Sequence, residues 1–90
     1  MKKIYKYRLN VEGQVTEVQD KFSRILTIQT QDGWPHVWIE IDDNTEEKKV
    51  VFAAIGTGWE MPDHDLTYAG TAQDMNGFVW HYYYSVEEVE

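Results

Sequence analysis

Asp32-Gly33 stands between two segments in which apolar and polar residues alternate. Such a pair is favoured in a two-residue type I′ turn, whose central positions both need positive φ. On the C-terminal side Val37, Ile39 and Ile41 face one way and His36, Trp38 and Glu40 the other. On the N-terminal side residues 24–31 alternate, with Leu26 and Ile28 as the inward pair set against Ile39 and Val37. Period two is the signature of a half-buried strand and not of a helix. The pairing predicts a hairpin over residues 24–41 as the base of an all-β domain: a single small antiparallel sheet, a sandwich or a barrel. Composition agrees, since Val, Ile and Thr total 22 and Ala and Leu only 7. β-Branched side chains are stiff in helices and pack well on a pleated surface.

The same period runs through residues 3–9, where Tyr5, Tyr7 and Leu9 oppose Lys6 and Arg8. Val15 and Val18 mark a weaker segment, either a strand or an extended crossover. Pro35 has no backbone donor, which predicts that the strand after the turn begins on an edge or outside the ladder. Residues 42–49 (DDNTEEKK) read as a solvated loop, and residues 49–55 are apolar on both faces, as in a covered central strand. Residues 56–62 hold two glycines and a proline and read as a loop. Residues 66–71 form a short strand, and 78–85 are the last. There Phe78, Trp80, Tyr82 and Tyr84 share one face, with Val79, His81 and Tyr83 on the other. Aromatics on both faces predict that both are covered, one by the core and one by a loop or a partner, which favours a homo-oligomer. Residues 87–90 are expected to fray. Ninety residues make one domain, 1–90, with a small core.

Charge and residue usage narrow the function classes. Sixteen acidic against eight basic residues give −8, so the chain as a whole repels duplex nucleic acid and anionic membrane. Without cysteine there is no disulfide, thiolate metal site or cysteine nucleophile. The absence of disulfides in so small a domain, and of a long apolar run, predicts a soluble protein of the cytoplasm, the host cytoplasm if phage-encoded. His36, His64 and His81 have no metal-ligand spacing, and three successive residues, Asp63-His64-Asp65, cannot all face one ion. Ser23 and Ser85 lack the setting of an activated nucleophile. The expectation is a protein that is not an enzyme and uses no metal or cofactor.

Four Trp and six Tyr exceed what so small a core needs, and both residue types anchor interfaces. Trp34, Trp38 and Trp59 are the hardest to assign to the core, whereas Trp80 reads as core. Gly56-Thr57-Gly58 can turn successive N–H groups toward an anion, although no helix follows to lend its dipole. The candidate ligand-binding set is Arg8, Arg24, Trp38, Gly56, Thr57, Gly58 and Trp59. In it, aromatics stack a base while the glycine loop and the cations Lys6, Arg8 and Arg24 hold phosphate. A sheet of this size cannot enclose such a ligand alone, so pockets at subunit contacts are required.

The opening Ile4-Tyr5-Lys6-Tyr7, Val37-Trp38 before Glu40, Gly56-Thr57-Gly58 with Pro62 four positions on, Tyr68-Ala69-Gly70-Thr71 and Phe78-Val79-Trp80-His81 occur in series along nearly the whole chain. This series resembles a family of small phage and bacterial proteins classed as a domain of unknown function. Trp59-Glu60-Met61 stands where that family commonly has a His, and Tyr82-Tyr83-Tyr84 extends the last strand. The resemblance implies no reaction. It implies a phage or prophage setting, in which a small acidic accessory protein blunts a host defence. Three expectations follow: sequestration of a small nucleotide-like immune signal, inhibition by docking on the basic surface of a host nucleic-acid-binding defence complex, or a structural or assembly role.

Overall fold

The computed structural model describes residues 1–89, which form seven strands and no helix. They are β1 (Lys2–Arg8), β2 (Val15–Asp20), β3 (Phe22–Gln31), β4 (Trp34–Asp42), β5 (Lys48–Gly56), β6 (Thr67–Gln73) and β7 (Val79–Glu88). A three-stranded sheet has the order β1-β4-β3 and a four-stranded sheet the order β2-β5-β7-β6, every pair antiparallel. The chain crosses between the sheets after β1, after β2 and after β4, with Lys21 alone separating β2 from β3. The expectation of an all-β fold holds, in the form of a two-sheet sandwich only 16 Å across its shortest axis.

Alternation decides which side chains meet between the sheets. Val37, Ile39 and Ile41 from β4 face Val50, Phe52 and Ala54 from β5 and Trp80 and Tyr82 from β7, all buried. Leu9, just past β1, is also completely buried. Two edge contacts draw the sheets together without a backbone ladder, so the barrel does not close. At one edge the Tyr7 hydroxyl donates to Asp20 Oδ2 at 3.0 Å. Burial, with that carboxylate as acceptor and neighbouring charge, pushes the Tyr7 phenol up to about 12. At the other edge β6 lies close on β3, because a Cβ at Gly70 would stand 2.9 Å from Ile28 Cβ.

Asp32 and Gly33 have φ of 55° and 78°, the left-handed pair that the turn requires. The register on its N-terminal side differs from expectation. Ile25, not Leu26, pairs with Ile39, while Ile28 pairs with Val37 as expected. Shifts between Phe22 and Arg24 and between Ile25 and Thr27 add unpaired residues, and the second turns Leu26 out to 37% exposure. Pro35 meets only one of the two expected placements: it is fully buried in the central strand of its sheet and not on an edge. Its carbonyl accepts from Leu9 N–H at 3.0 Å, one position beyond the last β1 pair, Arg8 with His36. The donor it lacks therefore falls where the β1 ladder has ended. Residues 87 and 88 pair with Lys49 and Lys48 at the end of β7 where fraying was expected. Residue 90 lies outside the described residues.

Candidate functional site

The outward face of the three-stranded sheet is built by the even-numbered residues of β4. Trp34, His36 and Trp38 form a column along this central strand, with the His36 and Trp38 rings 6.1 Å apart. On one side, register places Arg8 beside His36 and Lys6 beside Trp38. On the other, Gln31 lies beside Trp34, Gln29 beside His36 and Thr27 beside Trp38. The Arg8 guanidinium lies over the Trp34 ring, 4.3 Å from its centroid, and the Trp34 indole N–H is anchored on the Leu9 carbonyl at 2.7 Å. Lys6 reaches across β4 and donates to the Gln31 side-chain carbonyl. Arg8, Gln31, Asp32, Trp34, His36 and Met75 line a shallow cleft of about 310 Å³.

Further down this face the charges are already paired. Glu40 accepts from the Ser23 hydroxyl at 2.9 Å and lies 3.4 Å from Arg24 Nε and 4.0 Å from Lys2 Nζ. The Ser23 hydrogen bond, then the Arg24 and Lys2 charges, hold its carboxyl below the ordinary range against an opposing desolvation. Arg24 is thereby committed to Glu40.

The glycine loop is set at the opposite sheet. Because β5 and β6 flank β7, residues 57–66 must cross from one side of that strand to the other. The crossing opens with a turn in which Trp59 N–H donates to the Gly56 carbonyl at 3.1 Å and Gly58 has φ of 87°. The close approach belongs to Gly56, where a Cβ would meet the Trp59 ring at 2.6 Å; at Gly58 a Cβ would meet nothing within 4 Å. Trp59 is thus held edge-on against Trp80, ring centroids 5.5 Å apart at 77°. Trp80 is fixed in turn by its indole N–H, which donates to Asp74 Oδ2 at 2.8 Å. The Asn76 and Phe78 backbone N–H groups donate to Asp74 Oδ1. These donors, Trp80 first, lower the Asp74 pKa despite burial.

Between these groups lies the larger cleft, about 730 Å³, lined by Glu12, Gly56, Thr57, Trp59 and the residues 77–80. The Thr57 hydroxyl is taken by His81 Nε2 at 2.8 Å, while Thr71 Oγ1 bonds the other ring nitrogen at 3.1 Å. Among the described residues no three His, Asp or Glu side chains converge as a metal would require, and no helix is long and apolar enough to cross a membrane.

The seven residues singled out from sequence therefore separate. Arg8, Arg24 and Trp38 lie on the three-stranded sheet, and Gly56, Thr57, Gly58 and Trp59 on the loop that leaves the four-stranded one. No Lys or Arg lines the larger cleft among the described residues. Trp34 and His36 complete the first group and were not in the set. Their signal was the alternation that put His36 and Trp38 on one face of β4. Glu12, Phe78 and Trp80 complete the second, and only a tertiary contact reveals them.

No curated protein and no solved structure matches this chain. One family model does, over residues 1–90, and by it the chain belongs to the family described as Domain of unknown function (DUF7352).

Proposed function

We propose that this protein is a non-catalytic accessory protein that sequesters a small nucleotide-like ligand on the outward face of its three-stranded sheet, as a homo-oligomer. The observation that carries this reading is the Trp34-His36-Trp38 column flanked by Arg8 and Lys6. Aromatic faces stack any base, and adjacent guanidinium and ammonium groups supply charge for phosphate. Gln29 and Gln31 add donors and acceptors on the opposite side of the column. The cleft there is small and open, so a second copy is needed to close over the ligand. The phage or prophage setting implied by the sequence resemblance makes an immune signalling nucleotide the natural target. Titrating cyclic and ADP-ribose-type nucleotides while following tryptophan fluorescence tests the reading. Saturable quenching that Trp38→Ala weakens by roughly 5- to 150-fold, the usual worth of a base–aromatic stack, is expected. Salt should weaken binding mildly, because few phosphates are neutralised.

A second reading, an acidic inhibitor that docks on a basic defence protein, is favoured by a separate observation. The chain has no Lys or Arg after Lys49, while residues 60–65 carry Glu60, Asp63 and Asp65. Affinity of that kind falls steeply with salt. No nucleotide response, together with salt-sensitive capture of a nucleic-acid-handling protein that charge reversal at Asp42, Glu46 or Glu47 weakens, replaces the first reading with the second.

A further inference from the structure

The larger cleft has the wrong charge for phosphate, and the same feature says what it suits. Its walls are aromatic. Trp59 and Phe78 are 51% and 58% exposed, and both pack on the buried Trp80, Trp59 edge-on and Phe78 tilted with 6.1 Å between centroids. Its one ionisable lining residue is Glu12. That residue sits in a tight turn closed by Gln14 N–H on the Val11 carbonyl at 3.1 Å, with Glu12 and Gly13 at φ of 58° and 79°. A left-handed position ordinarily goes to Gly, Asn or Asp, and a glutamate there is held against its backbone preference. Trp59 packs on this turn, since a Cβ at Gly13 would stand 3.3 Å from its ring, so the turn and the aromatic wall position each other.

The wider field has the same sign. Glu60 follows Trp59 directly, and Asp63 and Asp65 lie in the same loop. The nearest cation along the chain from Glu12 is Arg8, which is stacked on Trp34 in the other cleft.

We propose that this cleft is a cation-accepting aromatic box whose occupant is an arginine side chain of a basic partner protein. The ring faces attract the guanidinium through their quadrupoles, and the planar cation can stack on Trp59 or Phe78. Glu12 supplies the counter-charge and can accept from the guanidinium fork. The surrounding carboxylates raise the local concentration of a basic segment before contact. This site is separate from the nucleotide-binding face, and the two are tested independently.

The test is a ¹H–¹⁵N NMR titration of the tryptophan indole signals with a capped Gly-Arg-Gly peptide, beside a capped Gly-norleucine-Gly peptide of similar apolar reach. The expected result is a saturable shift of the Trp59 signal with the arginine peptide and none with the norleucine peptide. Glu12→Gln, an exposed change that leaves the core untouched, should weaken the arginine peptide roughly 2- to 5-fold. An equal response to norleucine, an unchanged affinity in Glu12→Gln, or no Trp59 shift with the arginine peptide overturns the proposal.

Discussion

The Arg8 guanidinium lies 4.3 Å from the centroid of the Trp34 ring, on the sheet face that also carries His36 and Trp38 along β4. An exposed contact of this kind contributes about 0.5–1 kcal/mol to stability, little compared with what a phosphate-binding guanidinium contributes to a ligand. Arg8→Gln should therefore change the free energy of unfolding by about 1 kcal/mol at most while lowering nucleotide affinity at least tenfold. Urea denaturation and a binding titration on the same preparation check the split. A large loss of stability with little change in affinity would make Arg8 a structural residue.

Core packing gives a second prediction, one that tests the bulge in β3. Ile39 is fully buried opposite Ile25, whereas Leu26 is turned outward. Ile39→Ala should cost about 2–5 kcal/mol and Leu26→Ala less than about 1 kcal/mol. Equal costs in urea denaturation would return Leu26 to the inward face and remove the bulge.

The contrast between these residues shows what was legible in the sequence. The inward set of β4 could be read directly, because nothing interrupts its period of two. The inward set of β3 could not, because a bulge inserts a residue without leaving a mark in composition. Pro35 was legible in part: its missing donor falls outside the β1 ladder, which ends one residue short of it, but nothing in the sequence shows that its strand is central. The separation of Arg8 from the glycine loop was invisible because local periodicity does not say which strands share a sheet. Pairing of β1 with β4, and of β5 with β7, is set by contacts between distant segments.

Asp74 yields a prediction in pH. Its folded pKa is depressed by the Trp80 indole and the Asn76 and Phe78 amides, so ionised Asp74 stabilises the fold above the ordinary carboxylate value, about 3.9. That contribution is lost as pH falls through the lower folded value. In Asp74→Asn a single carbonyl oxygen replaces two acceptors, and the amide sets its own N–H groups against a donor on one side. The melting temperature at pH 7 should fall by roughly 5–15 °C, with the gap from the parent closing in acid. A gap that is constant from pH 7 to pH 2 would show that the charge of Asp74 contributes nothing.

The outward side of β7 bears on assembly. Tyr68 is 54% exposed and packs edge-on against Tyr83, ring centroids 5.4 Å apart. Val15 and Val79, also on the four-stranded sheet, are 52% and 37% exposed. Sedimentation equilibrium at micromolar concentration should give a mass above the 10.6 kDa of one chain, and, with this face of one copy seated over the three-stranded sheet of the next, Tyr68→Glu should shift the protein toward that value. A parent that fits a single 10.6 kDa species would remove the oligomer and with it the enclosed ligand site.

The claim that the outward face of the three-stranded sheet holds a nucleotide-like ligand is tested most directly by calorimetric titration of a nucleotide panel against the parent, Trp38→Ala, Arg8→Gln and Glu12→Gln. The account predicts saturable heat with at least one cyclic or ADP-ribose-type nucleotide, lost or weakened at least tenfold in Trp38→Ala and Arg8→Gln and unchanged in Glu12→Gln. No heat with any nucleotide, or heat that survives both substitutions on the sheet face, would contradict it.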